Sequence, residues 1–242
     1  MSPIKEIQDI TIIGLGNVAW QYSNAMQGLG LNVRCISSRG EIKEEDLKSD
    51  LIIIAVSDKA IEEVADKLRI NNSILVHTSG SMDMEILKAR AENYGVFYPL
   101  QTLSKGNDID FSLIPLCIEA SNQEARQRLN TLASKLTPMV YDINSEQRKQ
   151  LHIAAVFACN FTNHLLGIAK EELDKKNIPF NILFPLIDQT IEKAKLNNPF
   201  DVQTGPAIRN DDQVMEIHKS SLEDDEREIY ELISEKIKKK DK

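Results

Sequence analysis

Near its N-terminus the chain reads Ile10-Thr-Ile-Ile-Gly14-Leu-Gly16-Asn-Val-Ala19. The apolar run at 10–13 is typical of a buried strand, and the G-x-G-x-x-A after it opens a helical pattern. Gly14 permits a tight turn, Gly16 lets the backbone approach a pyrophosphate, and Ala19 allows close helix–sheet packing. N–H groups at the start of such a helix attract phosphate. We therefore predict a dinucleotide-binding loop, rather than a glycine-rich turn without a ligand, formed by Gly14, Gly16, Asn17, Val18 and Ala19.

The first 143 residues alternate short apolar runs with amphipathic stretches. The run at 51–56 is apolar on both faces, which is typical of a central parallel strand between two helix layers. Repeated strand–helix alternation predicts an α/β Rossmann domain with a doubly wound, mostly parallel sheet, which we place at residues 1–145. Strands are predicted at 10–13, 31–37, 51–56, 73–78, 95–98, 115–119 and 139–143, and helices at about 18–29, 61–68, 82–92 and 122–136.

The pattern changes after Ile143, beyond which no strand is predicted. A long helical pattern runs from about 146 to 176, and Pro185 lies at the start of another. A last helix is expected near Ser221, whose hydroxyl can cap it. We therefore predict a smaller all-helical domain at residues 146–242.

The second predicted strand ends in Ser37-Ser38-Arg39, where an NAD-binding protein usually carries Asp or Glu for the ribose hydroxyls. Two hydroxyls and a guanidinium suit a 2′-phosphate, so we predict NADP in preference to NAD. The alternative is an ordinary strand-to-loop turn. Residues after the later strands should also contact the cofactor, because ligands bind at the carboxyl ends of parallel strands. These are Val56, Ser57, His77, Ser79 and Gly80, although His77 could instead be a strand histidine bonded to backbone.

The chain carries a net charge of −8, and its cysteines, Cys35, Cys117 and Cys159, lie far apart. An acidic protein repels a phosphate backbone, so nucleic-acid binding is not expected. The cysteine spacing is unlike that of a metal site or a disulfide framework, and Cys159 is expected to be a small core residue. No signal-peptide core and no apolar stretch of membrane-span length is found. We expect a soluble cytoplasmic protein without a metal.

Five segments of the chain resemble a bacterial branch of NADP oxidoreductases that joins a Rossmann-like domain to a helical domain of unknown function. The branch is related to pyrroline-5-carboxylate reductase, deazaflavin-dependent NADP reductase and the β-hydroxyacid dehydrogenases. The resemblance implies a two-domain reductase with NADP (NADPH) as its cofactor, and it indicates no substrate. The segments are Gly14-Leu-Gly-Asn-Val-Ala19, Val76-His-Thr-Ser-Gly-Ser81, Tyr98-Pro-Leu-Gln-Thr102, His152-Ile-Ala-Ala-Val-Phe-Ala-Cys-Asn160 and Thr204-Gly-Pro-Ala-Ile-Arg-Asn-Asp211.

The chain departs from these relatives where their chemistry takes place. The β-hydroxyacid dehydrogenases use a lysine of the long interdomain helix as acid and base, whereas this chain has no Lys between Gln150 and Ala169. Relatives often have His-Pro where this chain has Tyr98-Pro99. The proton donor must therefore be sought among this chain's own residues.

Polar residues on the predicted long helix are the candidates for that role. His152, Cys159 and Asn163 are spaced i, i+7 and i+11, which predicts a shared helical face, with Asn160 beside them. We predict His152 and Asn163 as catalytic residues, with His152 as the proton donor in a hydride transfer. The alternative is hydrogen bonding between helices, or plain exposure.

A third predicted catalytic residue, Arg209, follows the Gly205-Pro206 turn. Its guanidinium could hold an anionic group of the substrate through a bidentate contact. The alternative is a structural pair with Asp211 that fixes the loop at a dimer seam.

Two functions fit these residues. The first is an NADPH-dependent reductase that transfers hydride to a small anionic carbonyl or imine compound. The second is a non-catalytic NADP-binding sensor or assembly partner, which the missing lysine favours. In either case a helical domain of this size has little core of its own, which predicts a homodimer formed through it. Small residues that allow close packing of the long helix are Ala154, Ala155, Ala158 and Gly167.

Overall fold

The structure is a computed structural model and describes residues 5–107 and 109–240, the side chain of Lys240 excepted. The chain divides into two compact units between Ala158 and Cys159. This division falls inside a six-residue π-turn, Val156–Phe161. The first unit contains the sheet, and the second is helical.

One sheet of seven strands forms the centre of the first unit. Its order is β2-β1-β3-β4-β5-β6-β7, with β1 to β5 parallel, β6 antiparallel to β5, and β7 parallel to β6. The α/β class and the mostly parallel sheet are thereby confirmed. The strands are β1 (Asp9–Ile13), β2 (Asn32–Ile36), β3 (Leu51–Ile54), β4 (Ile70–His77), β5 (Ala91–Pro99), β6 (Leu116–Ala120) and β7 (Val140–Asp142).

Helices cover both faces of this sheet, as a doubly wound fold requires. On one face lie α1 (Asn17–Gly28) and α3 (Gln123–Leu136). There Tyr22 of α1 packs against Phe97 of β5 and donates a hydrogen bond to its carbonyl oxygen at 2.9 Å. On the other face α2 (Asp58–Asp66) contributes to a second core. The two cores hold the carboxyl ends of β1 to β5 in line along one sheet edge, where ligands bind in such folds.

The predicted helix at 82–92 is wrong. The structure has a 3₁₀ turn, Met84–Leu87, and β5 already begins at Ala91. The Asp83 carboxylate accepts a hydrogen bond from Glu85 N–H at 3.1 Å, a local bond that favours a short turn over a longer helix. Ala91 then pairs with Ile70 of β4, so the sheet takes residues that a longer helix would need.

The predicted long helix forms, but it is not a regular α-helix. α4 (Ser145–Ala155) passes into the π-turn Val156–Phe161 before α5 (Thr162–Asp174) begins. A π-turn holds more residues than a turn of α-helix. The i, i+11 spacing of His152 and Asn163 therefore does not bring them to one helical face, because the π-turn lies between them.

The second unit continues with α6 (Phe184–Leu196), α7 (Asp212–Ser221) and α8 (Asp224–Lys240). The predicted cap of the last helix by Ser221 is wrong, because Ser221 is the final residue of α7. Its hydroxyl donates to the Ile217 carbonyl at 3.0 Å, a bond back to the preceding turn that competes with capping.

Few apolar side chains are buried in the described part of the second unit. They are Ala207 and Met215, and α5 and α6 contain no buried residue. A soluble domain with so small a core is marginal on its own. The large apolar side chains exposed on this unit include Leu165, Ile178, Ile182, Phe184, Leu186, Ile191, Leu196, Ile217, Leu232 and Ile233.

The helix Ser145–Asp174 is long and apolar enough to cross a membrane, judged by length and composition alone. Its most apolar 18 residues have a mean hydropathy of 1.3, and none of them is buried. The sequence contains no uninterrupted apolar run of membrane-span length, which is why no such segment was expected. This helix reaches the length because it includes polar residues such as His152 and Asn163. Exposed apolar surface of this kind also marks interfaces between protein chains.

Candidate functional site

A cleft of about 1010 Å³ lies at the carboxyl edge of the sheet, where the strand order turns from β1 to β2 on one side and β3 on the other. Such a switch point is the usual ligand site of an open parallel sheet. Gln21 of α1 fastens the loop after β5, since its amide donates to the carbonyls of Ser104 and Asn107 at 2.6 and 2.9 Å, and Gln101 and Leu103 of this loop line the cleft. The lining residues are Gly14, Leu15, Gly16, Asn17, Val18, Ser37, Ser38, Arg39, Ala55, Val56, Ser57, Ala60, Glu63, Val64, Lys67, Gln101 and Leu103.

The two glycines of the loop, Gly14 and Gly16, have different structural roles. Gly14 has a φ of +137°, and a Cβ there would lie 2.1 Å from the Ala55 carbonyl oxygen, so the fold itself excludes a side chain. Gly16 has a φ of −79°, and a Cβ on it would meet nothing within 4 Å. Its open side suits a ligand that approaches the backbone, as the motif predicts.

The start of α1 faces this cleft without a side-chain cap. Its N-cap is Gly16, no acidic residue lies in the first turn, and Asn17 is exposed. The N–H groups of the first turn and the positive end of the helix dipole therefore suit an anion. Ala19 is 1% exposed and packs in the core, which is the role predicted for it.

The predicted 2′-phosphate site forms a turn at the end of β2. Ser37 Oγ accepts a hydrogen bond from Arg39 N–H at 3.2 Å, and the Arg39 side chain is exposed at the cleft. Two charged lining residues that were not predicted are Glu63 and Lys67, at the end of α2. Lys67 Nζ donates to Glu63 Oε1 at 2.9 Å, so this border carries a cation and a carboxylate that neutralise each other. Their i, i+4 spacing was visible in the sequence, but their place at the cleft was not.

Further along the same edge, three elements meet around Gly80. A Cβ on Gly80 would lie 2.7 Å from His152 Nδ1 and 2.9 Å from Tyr98 Cζ. The Tyr98 hydroxyl and His152 Nδ1 are 3.2 Å apart, within hydrogen-bond distance. Burial raises the pKa of Tyr98 to about 12, and the nearby Cys117 and Asp58 act in the same direction. We call Gly80, Tyr98 and His152 the histidine cluster.

Of the cofactor residues predicted after β4, none lines the cleft. His77 is fully buried, and its Nδ1 accepts a hydrogen bond from Ser79 N–H at 3.2 Å. This is the backbone-bonded arrangement that the sequence analysis kept as the alternative. Burial and the charge of Arg148 lower the pKa of His77 to about 4, so the ring is neutral near pH 7. Ser79 and Gly80 are buried as well and shape the loop beside the histidine cluster.

Arg148, which the sequence analysis did not single out, fastens this loop to α4. Its guanidinium is fully buried and pairs with Glu119 of β6. Nε donates to the Ser79 carbonyl at 3.1 Å, and Nη2 donates to the Met82 carbonyl and to Ser145 Oγ. Arg148 precedes His152 by one helical turn, so the same contacts position His152. The only sequence signal was this spacing.

The Ser79–Met82 loop is also joined to α2. Ser79 Oγ accepts hydrogen bonds from Ser81 N–H and Met82 N–H at 3.1 and 3.0 Å, and the Ser81 hydroxyl donates to the Asp58 carboxylate. Asp58 is the first residue of α2, whose N-cap, Ser57, lines the cleft. The loop of the histidine cluster and the border of the cleft are therefore directly connected.

The remaining predicted residues belong to the second unit. Asn160, Asn163 and Arg209 are exposed there, and Cys159 is exposed rather than a core residue as expected. Asp211 caps α7 by accepting a hydrogen bond from Val214 N–H at 3.2 Å, so its carboxylate serves the helix. The roles of Asn163 and Arg209 stay predictions. Among the described residues no group of three or more His, Cys, Asp or Glu could hold a metal ion.

A protein-family model matches residues 114–237 of the chain. Its description is "Domain of unknown function (DUF2520)", and it covers about half of the chain. This protein belongs to the DUF2520 family. A comparison of this DUF2520 protein with curated proteins finds no significant match.

Solved structures resemble the DUF2520 chain over almost its full length. A protein of Bacteroides fragilis, described as a "putative NADP oxidoreductase", is 38% identical with a TM-score of 0.85, over 98% of this chain and 100% of its own. A protein of Thermotoga maritima is 19% identical with a TM-score of 0.68, over 96% and 98%. An NADH-preferring ketol-acid reductoisomerase of an uncultured archaeon is 13% identical with a TM-score of 0.56, over 96% and 82%. The last two similarities concern the fold alone.

Proposed function

We propose that this DUF2520 protein is an NADP(H)-dependent oxidoreductase that reduces a small anionic carbonyl or imine compound. One observation carries the proposal: a cleft with a dinucleotide-type glycine loop lies on the same sheet edge as a half-buried histidine bonded to a tyrosine. The name of the Bacteroides fragilis relative supports the reaction class and the cofactor. Fold similarity by itself would not support a reaction, because the same fold carries many functions.

The residues of the cleft suit the parts of an NADP molecule. The N–H groups at the start of α1 would bind the pyrophosphate, with Gly16 letting it approach the backbone. Ser37, Ser38 and Arg39 would bind the 2′-phosphate. Val56 and Ser57 would line the middle of the cofactor. When bound, NADPH supplies the hydride.

The histidine cluster would supply the proton that accompanies this hydride. His152 is half-buried, so it is accessible to a substrate while Tyr98 holds its Nδ1. A histidine in that position can act as general acid in the reduction and as general base in the reverse direction. Arg209 and Asn163 remain proposed substrate residues on chemical grounds: the exposed guanidinium suits an anionic group, and the exposed amide suits a hydrogen bond.

A second function has one observation in its favour. The stretch between Gln150 and Ala169 lacks the lysine that β-hydroxyacid dehydrogenases use, as expected for an NADP-binding sensor or assembly partner without turnover. NADPH oxidation assayed against keto acids, imino acids and aldehydes separates the two. Turnover of any member of the panel supports the reductase, whereas tight NADPH binding without turnover across the panel supports the sensor.

We expect Arg39→Ala to weaken NADPH binding by about 1–3 kcal/mol, roughly 5- to 150-fold in Kd, because a charge-assisted contact to the 2′-phosphate is lost. NADH lacks this phosphate, so its Kd should hardly change. Calorimetric titration of both cofactors measures the difference. Arg69→Ala is a suitable control, since Arg69 bonds to backbone carbonyls and does not line the cleft. Tighter binding of NADH than NADPH by the unaltered protein would contradict the NADP assignment.

We further propose that the protein is a homodimer formed through its helical unit. The small core and the exposed apolar side chains of that unit support a second copy as the partner, because burying this surface would supply the missing core. Light scattering at micromolar concentration should report twice the mass of the chain. Leu186→Glu and Leu196→Glu, at side chains 64% and 80% exposed, should favour the monomer. A monomeric unaltered chain would argue against this assembly.

A further inference from the structure

The hydroxyl of Tyr98 is the group of the histidine cluster that contacts the imidazole of His152. It is 3.2 Å from His152 Nδ1, and the two rings meet edge-on with centroids 6.2 Å apart. Tyr98 is the penultimate residue of β5, and His152 lies on α4, more than fifty residues later in the chain. The contact is therefore made by tertiary packing and not by local structure.

Several groups hold the two rings in place. Gly80 leaves the space in which they meet, because a methyl group there would overlap both of them. Arg148, one turn before His152, bonds α4 to the loop that contains Gly80. The rings of Tyr98 and His152 are thus held by the loop at Gly80 and by the contacts of α4. This arrangement is expected where a hydrogen bond must be kept in one geometry.

The protonation of Tyr98 allows this hydrogen bond to run from the hydroxyl to Nδ1. Its pKa of about 12, raised chiefly by burial, keeps the hydroxyl protonated at every pH at which the protein would work. A phenol that keeps its proton can donate to Nδ1, and a neutral imidazole that accepts at one nitrogen carries its proton on the other.

We propose that Tyr98 is the positioning residue of His152: its hydroxyl donates to Nδ1 and so holds the proton of the neutral ring on Nε2, which faces the substrate. This inference rests on the proposed function for its chemical meaning, but not for its geometry. A neutral histidine with Nε2–H can polarise a carbonyl or imine, as neutral imidazoles do in other enzymes.

The proton transfer then balances without a charged histidine. As hydride reaches the substrate carbon, the Nε2–H bond breaks and the proton joins the substrate oxygen or nitrogen. The Tyr98 O–H bond breaks and its proton joins Nδ1, so the imidazole stays neutral while the phenolate exists. Solvent water then returns a proton to Nε2 as the Nδ1 proton goes back to Tyr98, which restores the starting tautomer.

The decisive experiment is ¹⁵N NMR of histidine-labelled protein without cofactor or substrate, which reports the protonated nitrogen of each neutral ring. The chain has four histidines, and the signals of His152 are identified as those that disappear in His152→Gln. In the unaltered protein, neutral His152 should carry its proton on Nε2. In Tyr98→Phe, which removes only the hydroxyl, a mixture of both tautomers should appear. His77 serves as an internal reference, because its Nδ1 is held by Ser79 N–H.

Tyr141→Phe is the matched control, since Tyr141 is 51% exposed on β7 and lies outside the cluster. It should leave the tautomer of His152 unchanged. An unaltered protein with the His152 proton on Nδ1, or a Tyr98→Phe protein with an unchanged tautomer, would overturn the proposal. Thermal unfolding of Tyr98→Phe checks that the variant remains folded.

Turnover provides a second readout once a substrate is found. Tyr98→Phe should lower kcat about tenfold while KM for NADPH stays the same, a smaller loss than the ~10²–10⁴-fold expected when a general acid is removed altogether. The NMR result needs no activity. If the tautomer responds to Tyr98→Phe but no substrate is ever turned over, the proposed function fails while the assignment of Tyr98 stands.

Discussion

His152→Ala should lower the turnover of any true substrate by about 10²–10⁴-fold, the range for loss of a general acid or base. The imidazole is half-buried, hydrogen-bonded to Tyr98 and positioned by Arg148, so its removal takes away the only histidine at this edge whose ring is not fully buried. NADPH affinity should be unchanged, because His152 does not line the cleft. Steady-state NADPH oxidation and calorimetric titration measure the two quantities on the same samples.

His164→Ala is the control for this variant. His164 lies on α5 of the helical unit and is exposed, and nothing in the structure assigns it a role. Its substitution should leave both turnover and NADPH binding unchanged. A His152→Ala protein that turns over at the rate of the unaltered chain would remove His152 from the mechanism and leave the cofactor site unaffected.

Arg148→Met should lower the free energy of unfolding by about 3–5 kcal/mol, the usual loss when one partner of a buried ion pair is removed. The Arg148 and Glu119 side chains are 1% and 10% exposed, so Glu119 would keep a charge without its counterion. The carbonyls of Ser79 and Met82 would also lose their donor. Urea unfolding of both proteins, followed by circular dichroism, measures the difference.

Arg126→Met is the matched control, because Arg126 forms an ion pair with Asp142 in which both side chains are 42% exposed. Exposed pairs contribute about 0–1 kcal/mol, so this variant should be almost as stable as the unaltered protein. If the two substitutions lowered the free energy of unfolding equally, burial would not explain how much each ion pair contributes to stability. Since Arg148 also fastens the loop of the histidine cluster, its removal should disturb the tautomer of His152 as Tyr98→Phe does.

Much of the first unit could be predicted from the sequence, because the signals are local. The glycine loop requires a tight turn between a strand and a helix, and Gly14 has the positive φ that only glycine adopts easily. Apolar runs such as 51–54 become strands buried on both faces. The cleft residues at Ser37, Ser38 and Arg39 follow from the same reasoning, since the carboxyl ends of parallel strands share one edge.

Other features required knowledge of which elements pack together. The antiparallel direction of β6 and the short turn at Met84–Leu87 follow from strand pairing across the sheet. The π-turn at Val156–Phe161 breaks a periodicity that the sequence shows as continuous. Regular helical spacing predicted a shared face for His152 and Asn163. The π-turn between them changes the number of residues per turn, so the two residues do not share a face.

By itself, the sequence determined the fold class, the glycine loop and the polar turn that suits a 2′-phosphate, because each depends on backbone conformation and periodicity within a few neighbouring residues. Only the tertiary structure decided that Arg148 is buried against Glu119, that Lys67 borders the cleft, and that Tyr98 meets His152 across Gly80. These contacts join residues far apart in the chain. Side-chain burial and hydrogen bonding between distant segments depend on how whole helices and strands pack. Local sequence patterns do not show which distant segments come into contact.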